Sequence, residues 1–378
     1  MFYRILKWPL LIAVVGLIAL FISYVLPYLS PLKRVENPVI VNDVTQLNPI
    51  RVAEVFAPTF EQDLVAKIKS TSGPISVGGG RYSQGGQTAL EQSLHLDMRS
   101  YNKVVYFDAS ERLITVQAGM RWRDLQAFTD KHDLAISIMQ SYADFTVGGS
   151  LSVNAHGRYI GEGPIIKSVV SIKLVLASGD VVEASPQQSA ELFYAAIGGY
   201  GGVGIIAEAT LRLAENSKVE RTTNAMALSD YPGYFQAEIA NNPQVIFHNG
   251  ILYPPHYQDL TAVSWLKTDK TVTVVERIHS SDKHYWWQPA LTDFVADYPF
   301  AKSFRQHLLD PIMLNRPAVH WRNYEASYDV KELEPHSREY YTYGLREYFV
   351  PTANLLAFAG DMANILQRHD VNVLNVSI

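Results

Sequence analysis

The amino-acid sequence predicts an α+β fold of two units that follow an N-terminal membrane-spanning helix. Strand-like and helix-like stretches are mixed without a regular repeat over about residues 52–215, which is typical of α+β folds. Glycine becomes scarce from about residue 216 onward, where four of the six tryptophans lie, so a second unit is expected there. Residues 8–32 contain no charged residue.

This uncharged stretch is long enough for a helix that crosses a bilayer, which takes about 20 apolar residues. The alternative is a cleaved signal peptide, but its apolar part would be about 7–15 residues long and would end in small residues. We therefore expect a single-pass anchor in the lipid bilayer over residues 1–32, followed by a linker over 33–50. Basic residues flank the span on both sides, so the side of the membrane stays open.

Composition excludes several classes of function. The net charge is −5, and no basic run is present, so nucleic-acid binding is disfavoured. The absence of cysteine excludes disulfides, thiolate catalysis, thiolate-held zinc, iron–sulfur clusters and a cysteinyl link to a cofactor. No metal site is predicted.

The elements of both units follow from local patterns. Apolar alternation around the turns 108–111 and 178–180 predicts two hairpins. Helical spacing of apolar residues predicts helices, among them one over 354–367, and alternation over 371–378 predicts a terminal strand. The expected strands are 74–77, 103–107, 113–117, 169–176, 181–184 and 205–213, and the other helices are 123–132 and 189–197.

The first of three glycine-rich segments, residues 77–87, follows a predicted strand. Successive backbone N–H groups in such a turn form a concavity for anions, and Arg81 could add a charge-assisted contact. No Gly-Lys-Ser/Thr follows at the spacing of a nucleoside-triphosphate loop. A plain turn after a strand is the alternative.

The other two segments are residues 141–157 and 198–206. Small residues over 148–155 suit a backbone that packs against a large planar ligand. In the third segment, Gly199, Gly201 and Gly204 match the dinucleotide pattern G-x-G-x-x-G. That pattern must follow a strand and open a helix, whereas here a helix precedes and a strand follows, so a Rossmann fold is rejected.

In this order, the three segments resemble the FAD-binding domain (PCMH-type) of the vanillyl-alcohol oxidase family, with Thr-Val-Gly-Gly at 146–149 and Gly-Gly-x-Gly-x-x-Gly-Ile at the third segment. The resemblance implies an FAD-binding domain of two subdomains over 51–215 and an α+β substrate or cap domain over 216–378. The first loop is most similar to the branch of decaprenylphosphoryl-ribose, sugar-lactone and alditol oxidases. Relatives that attach FAD covalently carry His where this chain has Arg81 or Tyr82, so non-covalent FAD is expected.

Carried over by position, the resemblance implies cofactor contacts in each segment. The first segment would wrap the pyrophosphate, the second would lie near the pyrophosphate and along the isoalloxazine, and the third would hold a cofactor edge by its backbone. The residues are Gly78, Gly79, Gly80, Arg81, Tyr82 and Ser83; then Ser141, Thr146, Val147, Gly148, Gly149, Val153, Asn154, Ala155 and His156; then Gly199, Gly204, Ile205 and Ile206.

The implied activity is oxidation of an alcohol or sugar-like CH–OH group by hydride transfer to flavin N5, with oxygen or a membrane quinone as electron acceptor. Candidates for the base are His156, Tyr348 in a segment similar to a flavin-facing Phe-Val-Pro strand, and His320; each could instead be structural. Relatives continue beyond residue 378, so we expect either an incomplete second unit or a site completed differently. A flavin-dependent C=C reductase and a catalytically impaired flavin-binding membrane protein remain alternatives.

Overall fold

Strands and helices are mixed along the chain, as the sequence predicts. The computed structural model describes residues 7–29, 37–281, 283–335, 338 and 342–378. The strands are β1 Ile40–Val41, β2 Ile50–Arg51, β3 Glu54–Phe56, β4 Ile75–Gly78, β5 Leu94–Asp97, β6 Val104–Asp108, β7 Leu113–Gln117, β8 Leu134–Ile136, β9 Val169–Val175, β10 Val181–Ala184, β11 Ile205–Glu215, β12 Lys218–Ala227, β13 Val245–Leu252, β14 Asp259–Lys267, β15 Val319–Trp321 and β16 Val376–Ser377. The helices are α1 Lys7–Val25, α2 Glu61–Lys69, α3 Trp122–Thr129, α4 Val147–Ser152, α5 Ala190–Ala196, α6 Tyr231–Tyr234, α7 Trp287–Asp297, α8 Pro299–Phe304, α9 Asp310–Leu314, α10 Arg322–Glu325 and α11 Leu355–Arg368.

The region up to β11 contains two sheets. Strands β3, β5 and β4 form a small parallel sheet, against which α2 packs Leu64 and Ile68. The larger sheet is antiparallel in the order β10-β9-β11-β7-β6, and β8 pairs with the end of β11. Both predicted hairpins, β6–β7 and β9–β10, are present. Trp122 of α3 is fully buried in the core of this larger sheet.

The region after β11 is built on a second antiparallel sheet in the order β15-β12-β14-β13-β16. Helix α11 matches the predicted helix and buries Ala359 and Ala363 against Leu252 and Leu260. The predicted terminal strand is present only as β16, which pairs with β13. The preceding residues are held by side-chain bonds instead, since Asn372 donates to the carbonyl oxygen of Ala296 at 2.7 Å.

The membrane-spanning helix predicted for the N-terminus is not supported. In the part of the chain that the structure describes, no helix combines the length and the apolar character that a bilayer crossing demands. Within the described residues, helix α1 is 19 residues long. Its C-terminal end packs on α7, where the rings of Phe21 and Tyr24 lie 6.0 and 5.8 Å from that of Phe294. Residues 1–6 and 30–36, which include parts of the predicted anchor and linker, lie outside the described residues.

The rest of the predicted linker is ordered into a short hairpin. Strands β1 and β2 pair antiparallel, and the segment between them turns around the buried side chain of Asp43. This hairpin packs next to the first glycine-rich segment, because the amide of Val44 donates to the carbonyl oxygen of Arg81 at 2.9 Å. The described part of the linker therefore belongs structurally to the first region.

Candidate functional site

The fold brings the three glycine-rich segments together. The first contacts the second so closely that a Cβ atom on Gly79 would lie 2.1 Å from the hydroxyl oxygen of Thr146. The third is tied to α4 of the second by two backbone hydrogen bonds of 2.9 Å, from Gly198 to Leu151 and from Tyr200 to Ser152. A helix, α5, precedes the third segment and a strand, β11, follows it, which is the order that excludes a Rossmann fold.

The first segment is a loop with unused backbone donors. It leaves the parallel sheet at the end of β4, and within the described chain the amides of Gly80, Tyr82 and Ser83 donate no hydrogen bond. Arg81 has a left-handed backbone with φ of 61°, and its guanidinium lies 3.1 Å from the carboxylate of Asp97. Free amides in a turn are what an anionic group requires, and this loop provides them.

A cavity of about 270 Å³ lies beside this loop. Its walls come from the first loop, the turn after β7 and the second segment: Gly80, Arg99, Asn102, Gly119, Arg121, Asp124 and Thr146. Arg99 and Arg121 add positive charge to the rim, and each also pairs with a carboxylate, of Asp97 and Asp124 respectively. Sequence reasoning missed both arginines, which lie outside the three glycine-rich segments.

The second segment contributes close packing rather than free donors. Thr146 caps α4, and the amides of Val147 and Gly148 donate to the carbonyl oxygens of Met120 and Ala118 at 2.8 and 2.7 Å. A Cβ atom on Gly148 would lie 2.7 Å from that of Ala118. The glycines therefore let α4 lie directly on the turn that follows β7.

His156 and Tyr348 lie on neighbouring segments. His156 follows Ala155 at the exposed end of the second segment, and its Nε2 atom is 2.8 Å from the carboxylate of Glu347. Tyr348 is 64% exposed, and its ring lies 5.5 Å from that of Phe358. The flavin-facing strand expected here is not observed, since residues 342–350 have no regular structure. The edge-on contact of Phe349 with His156 and the hydrogen bond that Glu347 accepts from His156 hold this segment in place instead.

Ile205 and Ile206 open β11 at the junction of the segments. On one side they pair with Val175 and Leu174 of β9. On the other side, pairing with β7 begins only at Glu208, so the backbone edge of both isoleucines extends past the end of β7. Asn154 has a left-handed backbone, with φ of 46°, and Val153 is half-buried beside it. The predicted cofactor residues of the second and third segments thus share one area.

His320 lies elsewhere, in a buried polar cluster between the two regions. Its ring packs at a tilt on Trp265, with centroids 4.7 Å apart, and its Nδ1 atom is 3.3 Å from the carboxylate of Glu325. Glu325 is 1% exposed and also accepts hydrogen bonds from Arg158 at 3.0 Å and from Tyr328 at 2.9 Å. Arg158 in turn donates to Ser141, one of the predicted cofactor residues, at 3.3 Å. Sequence reasoning missed this cluster, which no local motif marks.

A second buried histidine lies under the first loop. His95 of β5 is fully buried; its Nδ1 atom is 3.0 Å from the hydroxyl of Ser76, and its Nε2 atom has no hydrogen-bond partner within the described chain. Burial, together with the positive charge of Arg81, lowers the pKa of His95 to about 4. A Cβ atom on Gly78 would lie 2.7 Å from Nε2, so only glycine fits above this ring.

Comparison with known proteins finds a family match within the first region. Residues 53–185 match the family model for the FAD binding domain. L-gulonolactone oxidase of Bos taurus is 25% identical over 246 residues, which cover 64% of this chain and 53% of the relative. The Mus musculus enzyme is 25% identical over 250 residues, which cover 66% and 53%. L-galactono-1,4-lactone dehydrogenase 2, mitochondrial, of Oryza sativa is 34% identical over 131 residues, which cover 35% and 22%. The chain thus spans about half the length of the gulonolactone oxidases that it matches.

Proposed function

Residues 53–185 form an FAD-binding domain, and from this premise we propose that the chain is an FAD-dependent oxidoreductase that oxidises a CH–OH group of a sugar lactone or a related sugar-like alcohol. The cofactor domain makes the redox chemistry that of a flavin, and the curated relatives are oxidases and dehydrogenases of sugar lactones. The single observation that carries the proposal is the loop of free amides beside the cavity, in the domain that matches the FAD family.

The residues of this site fit FAD. The amides of Gly80, Tyr82 and Ser83 would bind the pyrophosphate, and Arg99 and Arg121 would add positive charge beside it. The close contact of Gly79 with Thr146 brings two chain segments near one ligand without side chains between them. The edge of β11 at Ile205 and Ile206, which extends past the end of β7, would offer backbone groups to a cofactor edge. The remaining residues predicted from the resemblance are proposed as further contacts.

We also propose that FAD is bound without a covalent link. The positions where relatives carry a linking histidine hold Arg81 and Tyr82. Arg81 is paired with Asp97, and the ring of Tyr82 packs on that of Phe145 at 4.5 Å, so both side chains have structural roles. His156, the histidine of the second segment, is hydrogen-bonded to Glu347.

When bound, FAD supplies the acceptor for the hydride that leaves the substrate carbon. The chain must then remove the hydroxyl proton, and His156 is the first candidate. Because Nε2 donates to the carboxylate of Glu347, the neutral imidazole can take a proton at Nδ1. Tyr348, beside Glu347 and 64% exposed, would contact the substrate rather than the cofactor. His320 is held by Glu325 and Trp265, which favours a structural role over a catalytic one.

The test is a visible absorption spectrum of the purified chain, before and after acid precipitation, followed by anaerobic addition of L-gulono-1,4-lactone or L-galactono-1,4-lactone. We expect a flavin band that passes to the acid supernatant and that bleaches when a lactone is added. Restoring oxygen or a soluble quinone should bring the band back and would identify the acceptor. A protein that binds no added FAD would overturn the cofactor assignment. A flavin band that bleaches only with a nicotinamide donor would favour a C=C reductase, and flavin in the acid pellet would contradict non-covalent binding.

A further inference from the structure

The hairpin formed by residues 37–51 contains a buried carboxylate whose partners are all uncharged. Asp43 is 1% exposed, and within the described chain no lysine or arginine forms an ion pair with it. Isolated buried charges are costly, so such a carboxylate must be compensated by hydrogen bonds. Burial opposes ionisation of Asp43, but the bonds from Thr45 and Asn48 outweigh it and hold the pKa of the carboxyl below its usual value.

The donors to this carboxylate come from two parts of the chain. Within the hairpin, Thr45 donates its amide at 2.8 Å and its hydroxyl at 2.5 Å to Oδ1, and Asn48 donates its side-chain amide to Oδ2 at 2.7 Å. The other two donors belong to the first glycine-rich segment: the amides of Gly85 and Gly86 lie 3.2 and 3.1 Å from Oδ2. Oδ1 therefore accepts only from the hairpin, whereas Oδ2 accepts from both the hairpin and the loop.

The hairpin holds the loop at a second point. The amide of Val44 donates to the carbonyl oxygen of Arg81, a residue with a left-handed backbone. Gly86 also has a positive φ of 76°, and a Cβ atom on it would lie 3.3 Å from that of Asn48. The hairpin therefore holds the loop at Arg81 and at Gly85 and Gly86. Two of the residues with free amides, Tyr82 and Ser83, lie between these points, and the third, Gly80, directly precedes Arg81.

We propose that Asp43 is a positioning residue for the cofactor, because its carboxylate fixes the far end of the glycine-rich loop in the arrangement that binds the pyrophosphate. This inference rests on FAD binding and not on the substrate. Asparagine cannot replace the aspartate here: one side-chain atom must accept from Thr45 and the other from Gly85 and Gly86, whereas an amide has only one accepting oxygen. Asp43→Asn would therefore place an N–H group against donors on one of the two sides.

The experiment measures the affinity of the full-length apoprotein for FAD, by quenching of flavin fluorescence, and for ADP, by competition. We expect Asp43→Asn to weaken both by the same factor, about tenfold to a hundredfold, the loss that follows when one or two buried amides lose their acceptor. ADP contains the pyrophosphate but no flavin, so an equal loss locates the effect at the pyrophosphate loop. Loss of FAD affinity with unchanged ADP affinity would overturn the proposal.

The matched control is Asp130→Asn. Asp130 accepts side-chain hydrogen bonds from Asn216 at 2.7 Å, Asn323 at 2.9 Å and Arg277 at 2.9 Å, and none of its partners lies in the loop. This variant should lower the melting temperature and leave both affinities within about twofold of the wild type, because no loop amide loses its acceptor. If the two variants weaken FAD binding in proportion to their loss of stability, Asp43 has only a structural role.

If Asp43→Asn does not fold, Asn48→Ala tests the same contact more mildly. It removes one donor to Oδ2, so it should reduce both affinities by the same small factor. Wild-type affinities in this variant would overturn the proposal. A wild-type chain that binds FAD and oxidises no lactone would refute the proposed function and leave this result unaffected.

Discussion

The two regions of the chain build the candidate site in different ways. Up to β11, the site is built mainly of backbone: amides in a glycine-rich loop that donate no hydrogen bond within the described chain, and glycines whose missing side chains let segments touch. After β11, the contribution is made of side chains, such as Glu347 at His156 and Glu325 at Arg158. Backbone contacts tolerate no added atoms, whereas side-chain contacts tolerate no loss of a partner. The two regions should therefore respond to opposite kinds of substitution.

The boundary between the regions is held by buried polar groups rather than by apolar surface alone. Arg123 of α3 pairs with Asp144 at 2.8 Å and with Asp329 of the second region at 3.4 Å. Asn323 donates to Asp130 and to the carbonyl oxygen of Leu134, both at 2.9 Å. Such networks are stable only while every member keeps its partner. They hold the segment 319–335 against the first region.

The largest loss of stability is expected when a buried ion pair at this boundary is removed. Glu325→Gln removes the charge that compensates Arg158, and an unpaired buried charge costs about 3–5 kcal/mol. We expect about 3 kcal/mol, because the Arg158 side chain is 19% exposed and keeps some contact with water. The measurement is the shift of the urea-unfolding midpoint.

The control for this prediction is Glu220→Gln. Its partner is Lys270, at 2.7 Å, and both side chains are partly or largely exposed. Exposed pairs contribute about 0–1 kcal/mol, so the midpoint should hardly move. Equal shifts for the two variants would show that Glu325 is not a buried charge partner.

The same contrast explains how much could be predicted from the sequence. The hairpins and the glycine-rich segments were predictable, because turn residues and glycines act through local backbone geometry, as Gly179 does with its positive φ of 79° in the turn of one hairpin. The pairing of Glu325 with Arg158 was not predictable, since the two residues are 167 positions apart and neither lies in a local pattern. The strand expected around Tyr348 failed for the same reason: side-chain bonds to a distant segment hold residues 342–350.

The N-terminal part shows a further limit of local patterns. The stretch 33–50 has the composition of a linker, yet its described part is a hairpin ordered by Asp43. A single buried carboxylate that accepts five hydrogen bonds produces no periodic pattern in the amino-acid sequence. Only the folded contacts with Gly85 and Gly86 reveal it.

The second prediction tests the backbone side of the comparison. Gly79→Ala adds one carbon 2.1 Å from the hydroxyl oxygen of Thr146 and about 3.2 Å from its Cβ atom, so the loop or the Thr146 side chain that caps α4 must move. Overpacking of this kind costs about 1–3 kcal/mol, and we expect FAD affinity to fall about fivefold to a hundredfold. Gly73→Ala is the control, because a Cβ atom there meets nothing within 4 Å. If both variants bind FAD as the wild type does, the close contact with Thr146 is not needed for the site.

The smallest expected effect is on the pH dependence of stability, and it is tested on one buried histidine from each region. The pKa of His95 is lowered to about 4 by burial and by Arg81, and that of His248 is lowered to about 4 by burial. Between pH 6.5 and 4 the unfolded chain binds protons that the folded chain does not, so stability falls as the pH falls. Each histidine should contribute about 1 kcal/mol to the loss between pH 7 and 5.5.

The two histidines should nevertheless differ at neutral pH, where neither is charged. His248 uses both ring nitrogens, with Tyr231 at 2.9 Å and Ser264 at 2.8 Å, whereas His95 uses only Nδ1 within the described chain. Replacing His248 by glutamine should therefore cost more stability at pH 7.5 than replacing His95, by about the worth of one hydrogen bond, roughly 1 kcal/mol. Both replacements should flatten the pH dependence equally, because both remove one depressed pKa. Unfolding curves at pH 7.5 and 5.5 check both statements. A steeper pH dependence after either replacement would show that the histidine is charged in the folded protein, which its burial argues against.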